Sequence, residues 1–275
     1  MWFDAFLRAR SLSRRDLSDL RFFGVEGALV PSDDEIGSAD ALAVRRGWAE
    51  TVGAVRRLRR GGLAGFAALG IHPRRIPARG LEGLMNELPR ALGAPEVAAL
   101  GEVGLLGASP LEERVFLRQL ELARELRLPV LVALPGRGLE RVARRTLGLL
   151  SEAGLEPGQA LLAGADERMV RAVRACGHLA GLALSRGAGA DAIDEAVRVV
   201  AALGPEGLVL GSDAGLSGGD LLALPRAADR LSRAGLSLAV VRRVCAANAL
   251  GFLRVDRRRL PGRAPSGRSG RPASR

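Results

Sequence analysis

The sequence predicts a (β/α)8 TIM barrel, a fold in which eight parallel strands alternate with helices. Short apolar runs recur along the chain, and each is followed by a longer segment with helical spacing of its apolar residues. About eight such units follow one another without a break, and a chain of 275 residues suits the ~250 residues that a single barrel needs. No glycine-rich phosphate-binding fingerprint follows the early strands, which argues against a dinucleotide-binding fold. We therefore expect one domain, 1–253, and a tail, 254–275.

The central unit, 97–135, shows this pattern most clearly. An apolar run at 97–100 predicts a strand that leads into Gly101 and Glu102. Ser109, Pro110 and Glu112 then have the order of a helix start, with an N-cap, a first-turn proline and a capping box. A second buried strand is predicted at 130–133. Strands joined through a helix run parallel, so Glu102 is expected at the carboxyl end of the barrel, where this fold places its chemistry.

The other elements are predicted from the same alternation of apolar runs, caps and breakers. The predicted strands are 4–8, 25–30, 64–71, 160–163, 179–184 and 208–210. The predicted helices are 13–20, 39–60, 81–92, 139–153, 167–175, 190–202, 221–233 and 238–253.

Targeting signals and disulfides are not expected in this chain. It has no uninterrupted apolar run of ~18 residues, and its N-terminus lacks the order of a secretory signal peptide, so we expect neither a membrane span nor export. Cys176 and Cys245 lie in helical surroundings and are interpreted as buried free thiols. A cytoplasmic protein fits this pattern.

The net charge of +11 is concentrated at the C-terminus. The segment 254–275 contains eight Arg and one Asp and is rich in Pro, Gly and Ser, so it is predicted to be disordered. All basic residues are Arg, a usage that codon bias in a GC-rich genome explains without a functional role. The tail could touch phosphate polymers weakly and non-specifically, or it could be only a solvated tail.

Five segments in order resemble the TatD-like branch of the metal-dependent hydrolases, which are amidohydrolase-related TIM barrels. They lie between residues 70 and 250 of the predicted barrel: 70–73 (Gly-Ile-His-Pro), 101–105 (Gly-Glu-Val-Gly-Leu), 118–123 (Arg-Gln-Leu-Glu-Leu-Ala), 128–130 (Leu-Pro-Val) and 248–250 (Asn-Ala-Leu). The resemblance extends over nearly all of 1–253. It implies a hydrolase in which one or two divalent cations, held at the ends of the strands, activate water.

Most ligands that the resemblance implies are absent. In the family's Asp-x-His-x-His motif, Phe6 and Arg8 stand at the two histidine positions. The three other positions that lack a ligand carry Ala133, Gly164 and Gly211. Glu102 is retained, and Asp213, two residues past the position of the family's aspartate, is a substitute if the alignment shifts.

Composition supports the same conclusion, because the whole chain has two histidines. His72 lies in the pocket-lining Gly-x-His-Pro segment, and His178 precedes a strand at the opposite end of the barrel. Glu102 and Asp213 alone would hold a divalent cation weakly, since catalytic zinc sites use three protein ligands. We therefore expect no bound cofactor.

Each remaining candidate residue has a defined hypothesis. Arg8 is expected to form an ion pair with Glu102 where the family holds its metal. Asp213 either joins this pair or caps the following helix. His72 either contacts an anionic substrate or makes a loop hydrogen bond. The acidic run at 33–35 is interpreted as a solvated loop in preference to a cation site.

The favoured function is a catalytically degenerate TatD-like barrel that binds a small molecule or a protein at its mouth. One alternative is a residual hydrolase acting on phosphodiester, ester or amide bonds, with Glu102 and Asp213 as catalytic residues and His72 acting with them. A second alternative is a polyanion-binding protein that works through 254–275.

Overall fold

The computed structural model describes residues 1–32, 40–135, 140–184, 190–215 and 219–255. Eight parallel strands form one sheet in the order β1 to β8, each hydrogen-bonded to the next along the chain, and they make a nearly closed barrel with helices between them. This confirms the predicted (β/α)8 architecture. The strands are β1 Trp2–Asp4, β2 Val25–Pro31, β3 Ala64–Leu69, β4 Val97–Gly104, β5 Val130–Ala133, β6 Ala160–Ala163, β7 Leu179–Ala183 and β8 Leu208–Gly211.

The helices begin and end close to the predicted positions. They are α1 Arg14–Phe22, α2 Ala41–Arg60, α3 Leu81–Leu92, α4 Pro110–Glu125, α5 Glu140–Glu152, α6 Glu167–Ala175, α7 Ala190–Leu203, α8 Ala223–Arg233, α9 Leu238–Arg242 and α10 Asn248–Phe252. Side-chain N-caps fix several starts, among them Ser13, Asp40, Ser109, Asp166 and Ser237. At Ser109 both hydrogen bonds of the predicted capping box with Glu112 are present.

The first strand differs from its prediction at 4–8. It spans Trp2–Asp4 and ends there because Asp4 Oδ1 accepts the backbone N–H of Phe6 at 3.1 Å. An aspartate that binds its own backbone two residues on turns the chain out of the strand. Phe6 and Arg8 therefore lie on the turn that follows β1, at the same end of the barrel as the other strand ends.

The predicted helix at 238–253 is divided in the structure. A π-helical turn, Arg243–Ala247, separates α9 from α10. Asn248 anchors the second part, because its Nδ2 donates to the carbonyls of Pro205 at 2.7 Å and Leu208 at 2.6 Å. The spacing of apolar residues does not show this change of helical period, since the same face stays buried on both sides of the turn.

The two cysteines have different surroundings, and the interpretation of Cys176 as buried is wrong. Cys176 is exposed because it follows the end of α6, whereas Cys245 is buried, and both are free thiols. Burial raises the pKa of Cys245 to about 12.

Two predictions fall outside the described residues: the solvated acidic loop at 33–35 and, beyond residue 255, the disordered tail. Among the helices that the structure describes, none is both long and apolar enough to cross a membrane.

Candidate site at the barrel mouth

A buried guanidinium bridges two carboxylates where the carboxyl ends of the strands meet, which we call the barrel mouth. Arg8 Nη2 donates to Glu102 Oε2 at 2.7 Å, and Arg8 Nε donates to Asp213 Oδ1 at 3.0 Å. The three side chains, named here the Arg8 cluster, are 5%, 3% and 9% exposed. The predicted Arg8–Glu102 pair is confirmed, and Asp213 joins it.

A β-bulge in β4 positions Glu102. The pairing of β4 with β5 shifts between Leu100 and Val103, so that three residues on β4 oppose two on β5. Gly101 lies in this bulge with a φ of +149°, and a Cβ there would lie 2.6 Å from the carbonyl oxygen of Leu131. Glycine is therefore required at 101, and the bulge directs the next side chain, Glu102, to Arg8.

Close backbone contacts hold Arg8 against the loop that follows β8. Arg8 N–H donates to the carbonyl of Ala214 at 2.8 Å. Gly215 has a φ of +96°, and a Cβ there would overlap the carbonyl of Arg8. Asp213 has a left-handed φ of +55°, a conformation that aspartate tolerates better than most residues. Asp213 pairs with Arg8 and does not cap a helix, because α8 begins at Ala223, well downstream.

The Phe6 ring fills the space over the ends of β7 and β8. A Cβ built on Gly181 or on Gly211 would overlap the ring. The position where the sequence lacks the expected aspartate, Gly211, thus has no room for a side chain while Phe6 keeps this place. The sequence shows both substitutions but not that each depends on the other.

Asp4 and Ser212 join β1 to β8, a link that the sequence analysis missed. Asp4 is fully buried, and its Oδ1 accepts the backbone N–H of Ser212 at 2.9 Å as well as that of Phe6. Burial raises the pKa of Asp4 above its usual range, although hydrogen bonds from Ser212 oppose the shift. The sequence shows Asp4 at the aspartate position of the family's first motif. It does not show that Asp4 binds Ser212, because Ser212 lies more than 200 residues further along the chain.

The segment that contains His72 is fixed by two side chains on helices. Gln119 on α4 accepts the N–H of Ile71 at 2.7 Å and donates to its carbonyl at 3.1 Å, and Trp48 on α2 donates to the carbonyl of Gly70 at 2.8 Å. His72 is buried, and its Nδ1 accepts the N–H of Arg74 at 3.2 Å. The structure thus shows the predicted loop hydrogen bond of His72.

The remaining predicted positions supply no polar side chain to the mouth. Ala133 ends β5, and Gly164, with a φ of +83°, donates its N–H to the carbonyl of Gly181 at 2.9 Å. His178 lies directly before β7 at the opposite end of the barrel, as predicted. Burial lowers the pKa of His178, which fits a neutral structural histidine.

Comparison with known protein families matches residues 21–214, more than half of the chain, to a family described as TatD related DNase. The chain belongs to this family. An uncharacterised metal-dependent hydrolase of Methanocaldococcus jannaschii is 23% identical over 246 residues, which are 88% of this chain and 96% of that protein. The predicted family is therefore confirmed.

Solved structures agree with this assignment. A TatD-like protein from Archaeoglobus fulgidus has a TM-score of 0.77 and 25% identity, and the match covers 92% of this chain and 100% of that one. A TatD homologue from Escherichia coli has a TM-score of 0.68 at 19% identity, with 93% and 98% covered, and shows the same fold.

The described residues at the mouth of this TatD-family barrel do not supply the ligand set of a catalytic divalent cation. Within the described residues, no group of three His, Cys, Asp or Glu side chains could hold a metal ion. Two carboxylates are available, and the guanidinium of Arg8 is hydrogen-bonded to both. A catalytic zinc site needs three protein ligands and an open position for water, and this cluster offers neither.

Proposed function

We propose that this TatD-family barrel does not hydrolyse its ligand with a metal ion and acts by binding a small molecule at its mouth. The observation that carries the proposal is the bridge from Arg8 to Glu102 and Asp213. The guanidinium supplies a fixed positive charge at a position where the family's motif has a metal ligand.

The chemistry of the two cations supports this proposal. A metal-activated water needs a Lewis acid with an open coordination position. A guanidinium has donors in a fixed plane, stays protonated at all working pH values and cannot coordinate water. The Phe6 ring over Gly211 supports the same conclusion, because restoring an aspartate at 211 requires the ring to move.

No specific observation favours the other two functions. A residual hydrolase would need Glu102 as a general base, but Glu102 Oε2 accepts a hydrogen bond from Arg8 Nη2. His72 Nδ1 is occupied by the backbone of Arg74. Polyanion binding by the tail concerns residues outside the described chain.

Metal analysis of the purified protein tests the proposal. After dialysis against zinc or manganese and removal of free metal, we expect far less than one ion per chain. Hydrolysis of bis(p-nitrophenyl) phosphate and of DNA should not exceed that of an Arg8→Ala, Glu102→Ala double variant. Stoichiometric metal with hydrolysis that Glu102→Ala abolishes would overturn it.

A double reversion provides the positive control. Phe6→His with Arg8→His restores the two histidines of the first motif and removes the resident cation. We expect this variant to bind zinc more tightly than the parent protein, because Glu102 and Asp213 gain two imidazole neighbours. Isothermal titration with zinc chloride measures the difference.

A further inference from the structure

The Arg8 cluster holds two negative charges and one positive charge, and all three groups are more than nine-tenths buried. We infer that this excess negative charge binds the cationic nitrogen of an organic ligand, an amidinium, guanidinium or primary ammonium group. The inference rests on the proposed function and specifies the chemical class of the ligand.

Each carboxylate has one oxygen left for such a ligand. Arg8 uses Glu102 Oε2 and Asp213 Oδ1. In the part of the chain that the structure describes, Glu102 Oε1 and Asp213 Oδ2 accept no hydrogen bond, and neither is among the fully buried polar atoms without a partner. Neither oxygen is therefore completely enclosed, and an incoming N–H group would approach them through the small accessible surface of side chains that are 3% and 9% exposed.

Electrostatics favours a cation at these oxygens. A buried carboxylate without full compensation is costly, and one guanidinium compensates one of the two carboxylates. A second cation with N–H donors would complete the charge balance and the hydrogen bonds at once. An anionic ligand would meet the excess negative charge of the two carboxylates over the one guanidinium.

The same geometry favours an organic cation over a metal ion. A divalent metal ion needs several ligand atoms arranged around it, and among the described residues two carboxylates already shared with the Arg8 guanidinium do not provide them. Charged N–H donors need only hydrogen-bonding distance, which allows both cations to share the carboxylates. Guanidinium and amidinium groups have two parallel donors that suit this arrangement.

The neighbouring positions favour an apolar remainder of the ligand. Ala133 ends β5 and Gly164 follows β6, both without a polar side chain, and the Phe6 ring is apolar. A ligand with a cationic end and a small apolar body, such as an aromatic ring, is complementary to these positions.

Three probes of one shape test the inference: benzamidine, benzamide and benzoate, which are positive, neutral and negative. Titration calorimetry on the full chain should show benzamidine binding about tenfold or more tightly than benzamide, because charge-assisted hydrogen bonds exceed neutral ones. Binding of benzoate should be weaker still. Equal binding of benzamidine and benzamide, or tighter binding of benzoate, would contradict the inference.

Two variants locate the binding. Glu102→Gln and Asp213→Asn each remove one negative charge with little change of shape, and each should weaken benzamidine at least about tenfold while leaving benzamide unchanged. Glu87→Gln is the matched control, since Glu87 pairs with Arg45 on the outer helices, away from the mouth. Benzamidine binding that survives in both mouth variants, checked as folded by circular dichroism, would place it elsewhere and refute the inference.

Failure of this inference is distinguishable from failure of the proposed function. If zinc binds stoichiometrically and hydrolysis follows, the proposed function fails. If the protein stays free of metal and benzamidine shows no preference over benzamide, only the ligand class is wrong. Nuclear Overhauser effects from bound benzamidine to the methyl group of Ala133 would support its position at the mouth.

Discussion

At the scale of single residues, Arg8 is the side chain on which the two mouth carboxylates depend. Glu102 and Asp213, each in an ion pair with Arg8, are more than nine-tenths buried. A buried ion pair contributes little net stability against an apolar replacement of the whole set, but removing one member leaves uncompensated charge.

Arg8→Met tests this dependence. Loss of the guanidinium removes the cation to which Glu102 and Asp213 are both bonded, and we expect the free energy of unfolding to fall by about 3–5 kcal/mol at neutral pH. Urea unfolding measures the loss.

Arg45→Met is its matched control. Arg45 also donates two hydrogen bonds to a carboxylate, that of Glu87, but this pair is exposed. Because water screens this exposed pair, we expect a much smaller loss in the free energy of unfolding. Equal losses in the two variants would show that the Arg8 cluster is solvated and that its charge balance has little energetic weight.

Asp4 has the opposite relation to pH from a salt-bridged carboxylate. Burial raises its pKa in the folded state above the ordinary 3.8, with the Asp213 charge adding to the shift, while Cys245 nearby stays neutral. A raised folded-state pKa contributes stability that is complete below pH 3.8 and is lost as the pH rises through the folded-state pKa.

Asp4→Asn removes this titration and keeps the oxygen that accepts the N–H groups of Phe6 and Ser212. We expect the variant to gain stability relative to the parent protein as the pH rises from 4 to 8, measured by urea unfolding. Glu82→Gln, in an exposed pair with Arg118 that lowers the pKa of Glu82, should show no such trend above pH 5. A constant difference for Asp4→Asn would contradict the raised pKa.

At the scale of elements, the turn after β1 and the ends of β7 and β8 are packed as one unit. Gly181 and Gly211 allow the Phe6 ring to lie on the strand backbone. We expect Gly211→Ala to destabilise the protein by about 1–3 kcal/mol, because its methyl group overlaps the ring. Adding Phe6→Ala should make the double variant less destabilised than the sum of the two single variants.

Gly47→Ala is the control for this element. Gly47 lies in α2 with nothing within 4 Å of an added methyl group, so alanine should stabilise the helix by about 0.5–1 kcal/mol. Thermal unfolding of the four variants checks the pattern. Additive effects of Phe6→Ala and Gly211→Ala would show that the ring and the strand end are independent.

At the scale of the whole molecule, local signals in the sequence predict the order of strands and helices well. They predict poorly where β1 ends and where the last helix is divided. Strands such as β5 and β6 are short apolar runs between clear breakers, so their ends agree with the prediction. β1 ends at a local turn of Asp4 whose carboxylate also accepts the N–H of the distant Ser212, and Asn248 after the π-helical turn is bonded to the distant Leu208. Such contacts leave no periodic pattern in the sequence.

The candidate site also has parts that the sequence predicts and parts that it does not. Charge and the ligand positions of the family predict the Arg8–Glu102 pair, because an isolated carboxylate at a strand end requires a cation. The packing of the Phe6 ring against Gly181 and Gly211 was not predictable, since it depends on how closely the turn after β1 approaches β7 and β8. The role of Asp213 was open in the sequence because a shift of two residues changes it.

The many arginines of the barrel also serve its helices. Exposed ion pairs connect neighbouring helices around the outside: Arg45 with Glu87, Arg118 with Glu82, Arg145 with Glu113 and Arg230 with Asp194. Each contributes little on its own, because water screens exposed charges. They show that many positive charges of the barrel are balanced locally, so the charge excess of the sequence lies mainly in the segment after residue 254.

The bridge made by Arg8 has a consequence for how the barrel depends on its surroundings. A metal ion is exchanged with the medium, so its occupancy follows supply, competition and chelators. A guanidinium on the peptide chain is present in every copy from synthesis onward, and its charge does not change over the physiological pH range. Cells starved of zinc or manganese would therefore contain this barrel with its mouth cation in place.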